Sequence, residues 1–399
     1  MYLSHLSLTN FRGFSHLELD LPSGVVVLSG GNAQGKTTLL EAIYLLAIAR
    51  SYRADNESEV VNWQAYAEGA DALVGGAIER GTERLQVYVG YQCVPSPEQS
   101  DSEKERPFTV RKQIRVSRLK RTAAQLVGAV NAVLFTADDI ELVQGSPSLR
   151  RRYMDILLSQ VDPAYLKGLQ RYQKVLLQRN RLLRLLQDRR ADVDELDFWD
   201  QELVKEGAWI IGQRYRAMGL LASLSRESHT DLTGAGEELA LEYRPSIPLS
   251  DESISAPEAE GEFMAAIAAS RKREMGMGST RVGPHRDDFR LMVNGVDMGT
   301  YASRGQARTL ALSLRLAEAA YLALARDQGP IVLLDDVLSE MDASRRSRVL
   351  DRALGYQQVI ISTTDPELLQ GSLPSAAYFQ ISEGRVSEWE PPTYSKASG

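Results

Sequence analysis

A single cysteine, Cys93, stands among 399 residues. That excludes an internal disulfide and a cysteine-built metal cluster, and it suits a reducing cytoplasm. No apolar run is long enough to cross a bilayer. Residues 1–8 lack the basic, apolar and small-residue order of a signal peptide, so a cytoplasmic chain without membrane attachment is expected. No repeat of roughly 20–50 residues recurs, which excludes a solenoid. Sustained heptads are missing too, which excludes a long coiled coil. The net charge of −7 offers no overall basic field for nucleic acid. The rest of the composition is ordinary for a soluble globular protein, with 43% hydrophobic and 25% charged residues. A length of 399 residues exceeds one compact core, so two lobes are expected.

What is present begins with Gly30-Gly31-Asn32-Ala33-Gln34-Gly35-Lys36-Thr37-Thr38, which fits the phosphate-binding loop G-x-x-x-x-G-K-[ST]. The apolar, β-branched run Val25–Leu28 before it predicts a buried strand, and Thr38–Leu46 after it predicts a helix. Strand, glycine loop and helix N-terminus together make an anion site, because backbone N–H groups and the helix dipole face the phosphates. Lys36 is then expected on the β- and γ-phosphates, and the Thr37 hydroxyl on Mg2+.

Along the chain, residues 2–9 and 17–21 alternate as a small β-meander leading into this loop. Strands are expected at 72–78, 85–91, 109–116 and 130–135, with an exposed, proline-containing loop over 95–107. From about residue 148 the pattern turns helical: 148–158, 163–190, 196–225 and 263–272, with one strand-like piece at 239–243. Strands and helices alternate again from residue 280, with a strand at 289–293, a hairpin signal at Asn294-Gly295, and a long helix at 305–325. This predicts an α/β head from 1–146 plus 279–399 (lobe I), with a helical insertion over 147–278 (lobe II).

The run Ile331-Val332-Leu333-Leu334-Asp335-Asp336 predicts a buried strand ending in two carboxylates. Asp335 is placed to hold Mg2+ with Thr37, and Asp336 to polarise an attacking water. Ser303-Arg304-Gly305-Gln306 opens the 305–325 helix, either as a second phosphate site or as a plain serine cap.

Taken in order, the P-loop, the helical insertion, S-x-G-Q at a helix start, hhhhDD and Ser339-Glu340-Met341-Asp342 resemble the head domain of ABC-type ATPases in the branch of SMC proteins and Rad50. More narrowly the chain resembles the RecF family of bacterial DNA replication and repair proteins. The matching pieces are Asn10-Phe11-Arg12, the P-loop with Glu41-Ala42, Ser51-Tyr52-Arg53, the run from Asp138 to Asp155, Gly283-Pro284-His285-Arg286-Asp287-Asp288, and Leu334 to Glu340. The resemblance implies ATP and Mg2+ as cofactors, with Asn10 and Arg12 near the adenine or phosphates. It implies Ser303, Gly305 and Gln306 as a signature contacting the partner's ATP, and Ser339 and Asp342 as the D-loop. It further implies an ATP-dependent homodimer on DNA, duplex, single-stranded or at junctions, that helps load recombinase at gaps. Recombinational repair, replication restart and the SOS response would be its setting, with RecR as a partner and RecO in the same pathway. Ser362-Thr363-Thr364-Asp365 stands where many ABC ATPases carry a histidine, which implies a weak, slow ATPase acting as a switch. No glutamine occurs over 135–138, where the family's Q-loop belongs, and Gln144 is the nearest.

The charge is unevenly spread. Residues 109–190 carry 17 Lys or Arg against 6 Asp or Glu, net +11, leaving −18 for the remainder. This favours a DNA face built from Arg111, Lys112, Arg115, Arg118, Lys120, Arg121, Arg150, Arg171, Lys174, Arg179, Arg181 and Arg184. Two other classes compete with this reading. An ABC transporter ATPase subunit would have a shorter separation between P-loop and signature, and a structural SMC- or Rad50-like head would carry heptads. His285 with Asp287 and Asp288 suggests either a metal cluster or a charge-rich hairpin entry, and the latter fits better because a metal site needs three or four convergent ligands.

Overall fold

A computed structural model describes residues 1–95, 108–234, 236–249, 256–369, 373 and 375–389. Pro97 and Pro107 of the expected exposed loop lie outside the described residues. The chain forms two compact units, Met1–Ala137 with Leu322–Gly399, and Asp138–Tyr321.

The first unit holds two sheets. In chain order its amino-terminal part is β1 (Tyr2–Phe11), β2 (Phe14–Asp20), β3 (Gly24–Ser29), α1 (Lys36–Ile48), α2 (Trp63–Ala67), β4 (Ala72–Arg80), β5 (Glu83–Pro95), β6 (Phe108–Val116), β7 (Leu119–Arg121), α3 (Ala123–Leu126) and β8 (Ala132–Thr136). One sheet is antiparallel, in the order β2-β1-β4-β5-β6-β7. Its inner face is apolar by strict alternation: Leu6, Leu8, Val74, Ile78, Val87, Val89 and Tyr91 are fully buried. Helix α1 is apolar on nearly every side, as expected of a helix enclosed by core.

The second unit is mostly helical: α4 (Glu141–Gln144), α5 (Pro147–Val161), α6 (Pro163–Gln187), α7 (Glu195–Thr233), β9 (Leu239–Arg244), α8 (Ala256–Met277), β10 (Asp288–Val293), β11 (Val296–Asp297), α9 (Met298–Tyr301) and the start of α10 (Arg304–Arg326). Prolines open α5 and α6 at their first turns, where a missing N–H costs nothing. Lobe I as read from the sequence takes in residues 279–321, yet these pack within the helical unit. The reason is strand pairing: β10 runs antiparallel to β9 over Asp288↔Arg244 to Val293↔Leu239, so it follows the strand inside the insertion.

Back in the first unit come β12 (Ile331–Asp335), α11 (Ala343–Ala353), β13 (Gln358–Thr363), β14 (Ala377–Ser382) and β15 (Arg385–Glu388). The second sheet has the order β15-β14-β3-β13-β12-β8. Its strands are parallel apart from the edge hairpin β14–β15, which is antiparallel. All residues of β12 and β13 are buried, as parallel strands covered on both faces require. Sheet order thereby sets β3 beside β13 and β13 beside β12, which brings together segments some 300 residues apart in sequence.

Candidate functional site

The loop between β3 and α1 makes a tight approach to its surroundings. A side chain on Gly30 would put its Cβ 2.4 Å from the Ile381 carbonyl oxygen of β14. Gly35 has φ +111°, and a Cβ there would meet the Phe14 ring at 2.8 Å. Only glycine suits both positions. Helix α1 starts at Lys36 with no side-chain cap and no acidic residue in its first turn. Its first N–H groups are therefore left for an external acceptor.

Lys36 is 7% exposed, and its Nζ donates to the carbonyls of Gly30 at 2.7 Å and Gly31 at 2.8 Å. Burial lowers its pKa, while the carboxylates of Asp336 and Asp335 act in the opposite direction. The Thr37 hydroxyl donates to Asp335 Oδ1 at 3.0 Å, and the Ser362 hydroxyl donates to the same oxygen at 2.7 Å. Burial raises the Asp335 pKa against these two hydrogen bonds. Asp336 has φ +53°, a left-handed conformation that a non-glycine residue adopts at a cost. Its N–H donates to Ser362 Oγ at 3.0 Å, and its carbonyl and carboxylate accept from Ser339 Oγ at 2.8 and 3.2 Å. Ser362, on the strand next to β3, thus braces the Asp335 carboxylate and the Asp336 backbone.

Lys36, Thr37 and Asp336 line an open cleft of about 600 Å3. Its walls are Gly13, Phe14, residues 32–38, Arg53, Asp336, Glu383 and Gly384. Gln34 is pinned by accepting from the Glu383 N–H at 2.7 Å. Phe14, Arg53, Ser362 and the Glu383-Gly384 turn escape the sequence reading as site residues. A turn signal at Gly384 was the available hint for the last of these.

Asn10 and Arg12 do not line the cleft. Asn10 donates to the Asp71 carbonyl at 2.9 Å. Arg12 instead grips Glu41, a fully buried carboxylate of α1, with Nη2 at 2.7 Å and Nε at 3.2 Å. Ser51 donates to the same carboxylate, and Arg53 lies 3.5 Å from it. Three separated motifs, Asn10-Phe11-Arg12, Glu41-Ala42 and Ser51-Tyr52-Arg53, converge on one buried charge that ties β1 to α1.

Asp342 caps α11 by accepting from the Arg345 N–H at 2.9 Å. In the helical unit, Ser303 and Gln306 form a reciprocal cap at the start of α10: Ser303 N donates to Gln306 Oε1 at 3.0 Å, and Gln306 N donates to Ser303 Oγ at 3.3 Å. Residues 303–306, Gly305 among them, are exposed. Gln144 donates to the Ala302 carbonyl at 2.7 Å, next to Ser303.

The DNA candidates divide between the two units. Arg111, Arg115, Arg118, Lys120 and Arg121 are exposed on β6 and β7 in the first, and Lys174, Arg181 and Arg184 are exposed on α6 in the second. Four candidates are committed elsewhere. Lys112 pairs with Glu57 and donates to the Ala49 carbonyl at 2.9 Å. Arg150 holds Asp288 with two nitrogens at 2.7 and 2.9 Å. Arg171 pairs with Glu206 at 2.6 Å. Arg179 is fully buried between Asp200 and Glu274, each at 2.7 Å. A count of lysines and arginines cannot see these carboxylate partners, which come from other elements.

No group of three or more potential ligands that could hold a metal is present among the described residues. His285 accepts from Tyr172 OH at 2.6 Å through Nδ1, and Nε2 faces the Thr280 carbonyl at 3.2 Å. Asp287 is taken by Arg214 at 3.1 Å and by Tyr243, and Asp288 by Arg150. The charge-rich entry to β10 forms an ionic network with Arg214, Tyr243 and Arg150.

A P-loop on β3–α1, a carboxylate pair at the end of the neighbouring-but-one strand, and an antiparallel sheet beside the parallel one define a P-loop ATPase head of the ABC and SMC class. The sequence matches the RecF/RecN/SMC N terminal domain over residues 2–385. It is 38% identical to the DNA replication and repair protein RecF of Chloroflexus aurantiacus, across 97% of this chain and 99% of that one. It is 40% identical to RecF of Roseiflexus castenholzii, across 91% and 93%. The solved structure of the recombination mediator protein RecF-ATPrS in the RecFOR pathway superposes with a TM-score of 0.85 at 30% identity, covering 98% of both chains. An SMC head bound to the C-winged helix domain of ScpA shares the fold alone, with a TM-score of 0.51 at 13% identity. The chain belongs to the RecF family of DNA replication and repair proteins.

Proposed function

We propose that this protein is an ATP-switched, DNA-binding dimer of recombinational repair and replication restart. One observation carries the reading. At an uncapped helix N-terminus, Lys36 is buried within its own loop, and Thr37 meets Asp335 at 3.0 Å. The carbonyls that now receive the Lys36 ammonium are weaker acceptors than phosphate oxygens. ATP would thus draw the lysine outward onto the β- and γ-phosphates, and the loop N–H groups would hold the rest.

Thr37 and Asp335 suit Mg2+, which takes one or two protein oxygens and completes its shell with phosphates and water. The ion would neutralise phosphate charge. Asp336 lines the cleft and would accept the proton of an attacking water. Ser362 stands in place of a histidine and is engaged by Asp335, which supports slow hydrolysis and a switch rather than a metabolic enzyme.

The exposed start of α10 with Ser303, Gly305 and Gln306 supports a contact to the γ-phosphate of a second protomer. Membership of the RecF family supports DNA as ligand, RecR as partner with RecO in the same pathway, recombinase loading at gaps, a place in the SOS response, and a cytoplasmic setting. Light scattering with ATP, with ADP and with gapped DNA tests the switch. A monomer in ADP and a dimer in ATP, reinforced by DNA, is expected. A mass that ignores the nucleotide would overturn it.

A further inference from the structure

The outer face of the antiparallel sheet carries a pattern that packing alone does not explain. The register aligns one row across it: Glu18, Ser7, Gly75, Tyr88, Arg115 and Lys120, each opposite the next. Arg115 and Lys120 are therefore directly opposed like charges, an arrangement that destabilises a strand pair. Both are exposed, and neither has an ion pair among the described residues. Arg111 lies on the same face of β6, and Arg118 sits at the β6–β7 turn with φ +70°. The carboxylates of the row's far end, Glu18 with Asp20, are already engaged by His5 at 2.6 and 2.7 Å. They stand four strands away from Arg115, roughly 19 Å at ordinary strand spacing, and so do not neutralise it.

Beside these cations lies an aromatic ring. Tyr88 is half-buried directly opposite Arg115, and its ring covers Gly75, where a Cβ would come within 2.9 Å of it. The absence of a side chain at Gly75 leaves room for the ring, which stays partly exposed. Gln92 and Gln113, joined by a 2.8 Å hydrogen bond, and Leu73, whose side chain lies over Gly90, make an uncharged stretch of the same face next to it.

We infer that this half of the sheet, β5 to β7, is a platform for single-stranded nucleic acid. Tyr88 stacks an unpaired base, and Arg111, Arg115 and Lys120 take the phosphates. A flat ring beside a row of cations is the combination that single-strand binders use, because every base has a π-face and every nucleotide a charge. A duplex keeps its bases in the stack and leaves such a ring without a partner. The adverse Arg115–Lys120 pairing is relieved when a phosphate lies between them. The inference rests on the reading of the chain as a DNA-binding protein and adds the strand type and the surface.

The test uses the full chain with Mg-ATP and two fluorescein-labelled probes, an oligothymidylate and a mixed-sequence duplex, read by anisotropy over a salt series. Tyr88→Leu weakens oligothymidylate binding roughly tenfold, as loss of one base–aromatic stack does, with an unchanged salt slope and unchanged duplex binding. Arg115→Ser with Lys120→Ser flattens the oligothymidylate slope by about one to two units. The same pair raises the thermal midpoint, because the repulsion is gone. The platform is overturned if Tyr88→Leu binds the oligothymidylate as wild type does, or weakens both probes alike. It is also overturned if the double variant keeps the full slope. A wild-type chain that binds neither probe overturns the DNA-binding reading itself, and the platform with it.

Discussion

Lys36 pays for its burial with a lowered pKa and is held in place by two carbonyls of its own loop. Removing it leaves the loop geometry, fixed by Gly30 and Gly35, but takes away the charge meant for phosphate. Lys36→Ala is expected to weaken ATP binding about a hundredfold, the loss of charge-assisted hydrogen bonds. Isothermal calorimetry with unchanged affinity would show that the loop holds no nucleotide. His285 gives a second outcome at this scale. Burial first, then the charges of Arg286, Arg151 and Arg179, push its pKa down to about 4, against the opposing Thr280 carbonyl. The folded protein therefore keeps His285 neutral where the unfolded chain, near 6.5, takes up a proton. This contribution to stability is complete above about pH 6.5 and is lost as pH falls toward 4. Urea midpoints followed by circular dichroism should fall over that window, and His285→Gln should flatten the fall. An identical pH profile in the variant would mean that other groups carry it.

Helix α10 is the element on which the dimer reading turns. Its reciprocal Ser303–Gln306 cap accounts for a serine at that position without any ligand, at about 1 kcal/mol of helix stability. Exposure of the whole stretch 303–306 is what a capping role does not require. Ser303→Arg should cost little more than the cap in thermal midpoint and should bind ATP normally. It should remain monomeric with ATP, since a bulky cation fills the place of the neighbour's phosphate. Asp336→Asn separates the next step: it should bind ATP and dimerise, and hydrolyse poorly in a phosphate-release assay. Dimerisation of Ser303→Arg at the wild-type ATP concentration would remove α10 from the nucleotide contact.

For the whole molecule, the excess of positive charge over 109–190 is shared between the two compact units. Its exposed members can be tested unit by unit. Reversing Arg115 and Arg118 in one unit, or Lys174 and Arg181 in the other, should each flatten the slope of log affinity against log salt by about one unit per lost phosphate contact. ATP affinity should survive both changes. Reversing Arg179 is a different experiment: it strands Asp200 and Glu274 inside the helical unit, and it should unfold the protein rather than alter the slope. A slope untouched in both exposed pairs would move the DNA contact to another surface.

The stretches legible from the sequence are those whose chemistry is contiguous. Residues 30–38 and 331–336 each carry strand, turn and reactive groups within a few positions, so the nucleotide loop and the carboxylate pair follow from local patterns. The alternation in β1, β2, β4 and β5 likewise shows in single segments, because each strand buries one face. What needed the tertiary structure is every decision made by a distant partner. Glu41 holds Arg12 with two nitrogens outside the cleft, whereas Arg53 stays in the cleft wall. Asp288 takes Arg150, and Asp200 with Glu274 takes Arg179, so residues that count as basic surface in composition are internal in the fold. The pairing of β9 with β10 sets the unit boundary, and neither strand alone says which ladder it will join. Local sequence fixes what a segment can do with its own backbone and charges. Burial and charge neutralisation depend on residues far along the chain, and only the folded arrangement selects among them.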